Sequence, residues 1–91
     1  MNYLKQYENF NTPDGWIKIN NHLYKKFKFN DFKSAFQFMT KVAKEAEMLQ
    51  HHPTWKNTYN IVDIWLNTHD TGNITEKDSQ LANKINMITS L

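Results

Sequence analysis

Apolar positions along this 91-residue chain follow two periods, one of two residues and one of three to four. From Leu23 to Phe29 they alternate: Leu23, Phe27 and Phe29 share a face, interrupted by Lys25, while Tyr24, Lys26 and Lys28 share the other. That alternation predicts an antiparallel strand with one wet face. A shorter strand at Trp16–Ile19 precedes it. Asn20-Asn21 between them suits a tight hairpin, because asparagine tolerates positive φ. Thr12-Pro13-Asp14-Gly15 reads as a turn.

With Asn30 or Asp31 as its cap, a helix follows. Phe32, Ala35, Phe36, Met39, Val42, Ala43 and Ala46 form its apolar stripe. Phe38 and Met48 fall off that stripe and are expected at a partner subunit or the core's rim. Pro53 disfavours helical backbone in the residue before it, so the helix is expected to stop near His51-His52. Alternation returns from Asn60 to Thr68, with Val62, Ile64 and Leu66 opposite Ile61, Asp63, Trp65 and Asn67; a short strand at Trp55–Thr58 precedes it. His69-Asp70-Thr71-Gly72-Asn73 is a loop, and Thr75-Glu76-Lys77-Asp78 has the spacing of a capping box. The last helix runs on through Leu81, Ala82, Ile85 and Ile88. Residues 1–9 read as a short helix. The order α-β-β-α-β-β-α predicts an α+β fold, a single domain over residues 1–91: an antiparallel sheet of about four strands with helices packed on one face.

Composition narrows the chemistry. A chain this short buries only roughly 60–65% of its unfolded surface, so its core is thin and self-association would help it. The absence of cysteine excludes disulfides, thiolate metal sites and a cysteine nucleophile. All eleven basic residues are lysine, and the net charge is +2. Without arginine's fork, direct nucleic-acid reading is not expected. No apolar run is long enough to span a bilayer. Met1–Glu8 shows neither a signal peptide's apolar stretch nor a transit peptide's arginines, and a cytoplasmic protein is expected.

Three of four histidines lie at element ends: His51 and His52 where the long helix stops, and His69 after the last strand. If that strand packs beside the helix, the three rings can converge on one cleft. Glu47 stands four residues before His51, on the same helix face, and can orient its imidazole. A protonated histidine is a general acid and a neutral one nearby a general base. The set suits proton transfer in both directions on one substrate, such as elimination or hydration, without metal or covalent intermediate. Other readings stay open. His-His-Pro can simply cap a helix C-terminus, Asp78 can simply cap the last helix, and Trp55, Tyr59 and Trp65 can be core or sheet surface. His22 reads as structural. Zinc is disfavoured because adjacent helical residues point about 100° apart.

Taken together, Glu47-Met-Leu-Gln-His51-His52-Pro53, Tyr59, Thr68-His69-Asp70, Gly72 and Thr75-Glu76-Lys77-Asp78 resemble the pterin-4a-carbinolamine dehydratases. Trp16, the run Phe27–Phe32, Ala35, Phe38, Ala46-Glu47 and Leu81-Ala82 also look like the family, over roughly residues 12–88. One departure is Asn73, where glycine is common in the family. The resemblance implies dehydration of 4a-hydroxytetrahydrobiopterin to quinonoid dihydropterin, with no cofactor, because the pterin is the substrate. It implies His52 and His51 as acids toward the 4a-hydroxyl and His69 as base. It places the pterin along Gln50, His51 and His52 and along Asn67, Thr68, His69 and Asp70, with Glu47 and Asp78 as supporting groups. It also implies a homodimer or homotetramer. Two alternatives accompany it: an interaction module of the transcriptional-coactivator type, and a related pterin- or molybdopterin-cofactor role.

Overall fold

The computed structural model describes residues 12–89. The helix expected over residues 1–9 lies outside them. Four strands, β1 (Ile17–Ile19), β2 (His22–Lys28), β3 (Thr54–Thr58) and β4 (Ile61–Leu66), form one antiparallel sheet in the order β1-β2-β4-β3. Helix α1 (Phe32–Leu49) joins β2 to β3, and α2 (Glu76–Thr89) ends the described chain. The expected α+β architecture is observed.

Local chemistry accounts for the punctuation. Trp16 N–H donates to Pro13 O at 3.0 Å across Asp14-Gly15. Gly15 there has φ +83°, and a Cβ on it would lie 2.7 Å from Lys25 Nζ. Two-residue hairpins join β1 to β2 through Asn20-Asn21 and β3 to β4 through Tyr59-Asn60. Asn20 takes φ 55° and Tyr59 φ 51°. Asp31, rather than Asn30, caps α1, its carboxylate accepting from Ser34 N–H at 2.8 Å. That hydrogen bond holds the Asp31 carboxyl below its ordinary pKa. A depressed folded-state pKa adds stability above the unfolded value and loses it as pH falls through the folded value. Asp31→Ala is therefore expected to lower the urea midpoint at pH 7, with the deficit vanishing in acid.

Strand alternation sets the core as expected. Leu23 faces Leu66 and Phe27 faces Val62 across β2–β4, and these join Ile64 against the helices. Both helices pack on that sheet face, α1 through Ala35, Phe38, Val42 and Ala46, α2 through Leu81, Ala82 and Ile85. Each large side chain buried there stabilises by roughly 1.5–3 kcal/mol.

The stripe expected on α1 needs correction. Phe38 is core, with its ring 4.8 Å from Phe27 and 4.9 Å from Phe29. Phe32 and Phe36 are about half exposed, their rings 5.8 Å apart, and Ala43 is exposed as well. The helix is turned so that its 35/38/42/46 face meets the sheet. Lys25, which breaks the apolar face of β2, is satisfied there: Nζ donates to Asp14 O and Asn86 Oδ1 and lies 4.9 Å from the centre of the Phe27 ring. Burial lowers its pKa.

On the opposite sheet face, the Tyr24 hydroxyl donates to Asp63 Oδ1 at 2.5 Å. That bond pushes the phenol pKa up to about 12. No helix among the described residues is long and apolar enough to cross a membrane.

Candidate functional site

The end of α1 decides where the histidines go. Gln50 leaves the helix in a left-handed conformation (φ 52°, ψ 44°), with its N–H on the Ala46 and Glu47 carbonyls. His51 N–H also returns to Ala46 O, at 3.0 Å. This closes the helix one turn before the proline and swings the next two side chains apart. His51 points inward and is buried; His52 points outward and is exposed.

Buried His51 meets Asp78 of α2, Nε2 to Oδ1, at 2.6 Å. Asp78 is fully buried. Its Oδ2 accepts the Thr68 hydroxyl and the Thr75 N–H, both at 2.8 Å. The Thr68 and Thr75 hydroxyls are themselves hydrogen-bonded at 2.5 Å. Asp78 thus completes the reciprocal half of the expected capping box and reaches across to a histidine 27 residues away. Three segments meet on one carboxylate in the first turn of α2: the end of α1 through His51, the stretch after β4 through Thr68, and the start of α2 through Thr75.

His52 takes the partner that sequence spacing assigned to His51. Its Nε2 lies 3.4 Å from Glu47 Oε2, with both side chains more than half exposed. The i,i+4 rule holds only while the helix continues, and here it has ended at Leu49. Glu47 and His52 edge a cavity of about 400 Å³ whose other walls are Ala43, Ala46, Pro53 and Trp55. This is the size and mixture of apolar walls with a few polar groups expected of a small-molecule site. A larger hollow of about 810 Å³ near Pro13, Lys25 and Asn86 contains no histidine, and its Lys25 and Asn86 are already bonded to each other and to Asp14 O.

His69 is exposed at the start of the loop that follows Thr68. Among the described residues, no hydrogen bond or ion pair joins its ring to His51 or His52. Its position is fixed through the backbone. Thr68 N–H donates to Asn73 O, and Gly72 N–H returns to Thr68 O, both at 2.9 Å. Gly72 takes the left-handed conformation (φ 68°), while Asn73 does not. The asparagine departure thus falls where no unusual backbone is needed, and its side chain bonds Ile74 N–H instead.

Other residues of the expected set are engaged internally. The Gln50 amide donates to Glu47 O and the Asn67 amide to Asn21 O. Thr68 spends its hydroxyl and both backbone groups holding the network. Asp70 is exposed. Sequence reasoning passed over two residues. Spacing alone marks Thr75 as a cap and leaves Trp55 as core or sheet surface. Trp55 is partly buried against the core and also walls the cavity beside His52. Its signal was its place two residues after the His-His-Pro run.

The chain as a whole is similar to known proteins. The family model described as Pterin 4 alpha carbinolamine dehydratase matches residues 3–88. A relative from Prochlorococcus marinus strain MIT 9515, provisionally named a pterin-4-alpha-carbinolamine dehydratase, is 51% identical over 74 residues, which is 81% of this chain and 77% of that one. A relative from Christiangramia forsetii with the same provisional name is 47% identical over 72 residues, 79% of this chain and 74% of its own. The crystal structure of a transcriptional coactivator/pterin dehydratase from Brucella melitensis superposes with a TM-score of 0.84 at 41% identity, covering 97% of this chain and 96% of that chain. A pterin dehydratase-like RuBisCO assembly factor of the alpha-carboxysome, 19% identical with a TM-score of 0.67, shares the fold over 80% of this chain and 84% of its own. With the family's model spanning nearly every residue of the fold and the site, the chain belongs to the pterin-4a-carbinolamine dehydratase family.

Proposed function

We propose that the chain is a 4a-hydroxytetrahydrobiopterin dehydratase that removes water by acid–base catalysis. The observation that carries this reading is the divergence of two adjacent histidines. His51 is buried on Asp78, and His52 stands on Glu47 at the mouth of a cavity, while His69 is tethered to the same Asp78 network through Thr68. In the proposed reaction the C4a–O bond breaks, and the hydroxyl leaves as water with a proton from His52 or His51. The N5 proton passes to His69, and a C4a=N5 double bond forms. Substrate and product differ only by water, so no oxidant, reductant or cofactor enters the balance. Gln50, Asn67 and Asp70 surround the pterin, and Glu47 orients His52. Each proton transfer to a positioned side chain contributes roughly 10²–10⁴-fold.

The test is turnover of chemically generated 4a-hydroxytetrahydrobiopterin, with and without a chelator. Quinonoid dihydropterin is expected to appear faster than in buffer alone, with no effect of chelation. Loss of activity on chelation would point to a metal instead.

The working form we propose is a homodimer or homotetramer. The exposed ridge of Phe32, Phe36 and Ala43 on α1 supplies an apolar face that a thin-cored subunit gains by covering. The same ridge favours the second reading, a protein-interaction role, in line with the coactivator in the name of the Brucella structure. A particle mass at or above twice the 10.9 kDa chain is expected in solution.

A further inference from the structure

We infer that His51 exchanges protons at Nδ1 alone, and that Asp78 is the positioning residue that holds it in that state. This deepens the dehydratase reading and rests on it for its catalytic consequence, but not for its structural part.

The inference follows from counting donors and acceptors. The Asp78 carboxylate has only acceptor sites. Oδ2 is filled by the Thr75 N–H and the Thr68 hydroxyl, leaving Oδ1 for His51 Nε2 at 2.6 Å. That nitrogen must therefore carry a hydrogen, and a neutral His51 keeps its lone pair on Nδ1. Among the described residues Nδ1 has no hydrogen-bond partner. Among the described residues only the Ser79 hydroxyl is both buried and unpartnered, so Nδ1 reaches solvent. One nitrogen of the ring is locked against a buried carboxylate and the other is open. The open nitrogen is a base when His51 is neutral and an acid when it is protonated.

The surroundings make the lock reversible by a single atom change. In Asp78→Asn the Thr75 backbone N–H cannot face another donor. The amide oxygen is thus drawn to the Oδ2 position and the NH2 turns toward His51. Nε2 must then accept, and the proton of the neutral ring moves to Nδ1. A near-isosteric substitution inverts the tautomer.

Nitrogen-15 NMR of histidine-labelled protein tests this directly, since protonated and lone-pair ring nitrogens resonate far apart. Neutral His51 is expected as the Nε2–H tautomer in the wild type and as Nδ1–H in Asp78→Asn. The variant's kcat is expected to fall by ~10²–10⁴-fold with KM little changed, as when the triad histidine of a serine protease is held in the wrong tautomer. An Nδ1–H signal in the wild type overturns the inference, and that spectrum needs no variant to fold. The same tautomer in both proteins also overturns it. If the tautomer inverts as expected but the wild type turns over no carbinolamine, the dehydratase reading fails while the assignment of Asp78 stands.

Discussion

Replacing His52 or His69 by alanine is expected to cut carbinolamine turnover ~10²–10⁴-fold in each case, with the fold left intact. Both residues are exposed, so neither substitution opens a cavity. The His52–Glu47 pair is 3.4 Å apart with both side chains more than half in solvent, and such pairs contribute only ~0.2–1 kcal/mol. Circular dichroism and the urea midpoint should therefore barely move while kcat collapses. His51 does not offer so clean a probe. Its alanine variant strips a partner from fully buried Asp78, and breaking a buried pair in this way costs about 3–5 kcal/mol. Lost activity there would mix chemistry with unfolding. Full turnover in both the His52 and His69 variants would remove these residues from the mechanism.

The second large effect concerns stability. Phe38→Ala is expected to destabilise the subunit by about 3–5 kcal/mol, a large share of the ~5–15 kcal/mol that holds a domain together. The Phe38 ring sits between Phe27 and Phe29 and is 4% exposed, so its removal leaves a cavity that the sheet cannot fill. Phe36→Ala, two residues away, is 55% exposed at the wild-type ring. It should shift the unfolding of a dilute subunit by no more than about 0.5 kcal/mol, and should act instead on particle mass. Urea titrations at two protein concentrations, with light scattering, separate the two outcomes. Equal effects from both substitutions would contradict the observed rotation of α1.

That rotation marks the limit of what hydrophobic spacing can tell. Positions 32, 36, 39 and 43 repeat as well as positions 35, 38, 42 and 46, and both sets carry apolar residues. A helix with two apolar ridges does not say which one meets the sheet, and Met39 of the first ridge is itself half-buried against the core. The strands were legible because a period of two leaves no such choice. Val62, Ile64 and Leu66 are all buried, as their alternation requires.

At the site, local rules carried half the arrangement. The capping-box spacing located Asp78 at the first turn of α2, and Thr75 N–H does bind it. Its other half, the reach to His51, joins residues 27 apart and depends on how α1 and α2 pack, which no local spacing encodes. The pairing of Glu47 went to the wrong histidine for a related reason. Helical periodicity was extended past Leu49, where the left-handed Gln50 had already turned the chain. The family resemblance, resting on the whole set of residues rather than on any single spacing, brought together what the periodicities could not.

The most direct measurement is the time course of quinonoid dihydropterin formation from 4a-hydroxytetrahydrobiopterin, with buffer, wild type and the His52→Ala/His69→Ala double variant run side by side. Wild type should run well ahead of buffer, and the folded double variant should fall back to the spontaneous rate. A wild-type trace that overlays buffer, or a double variant that matches wild type, would contradict dehydration by these histidines.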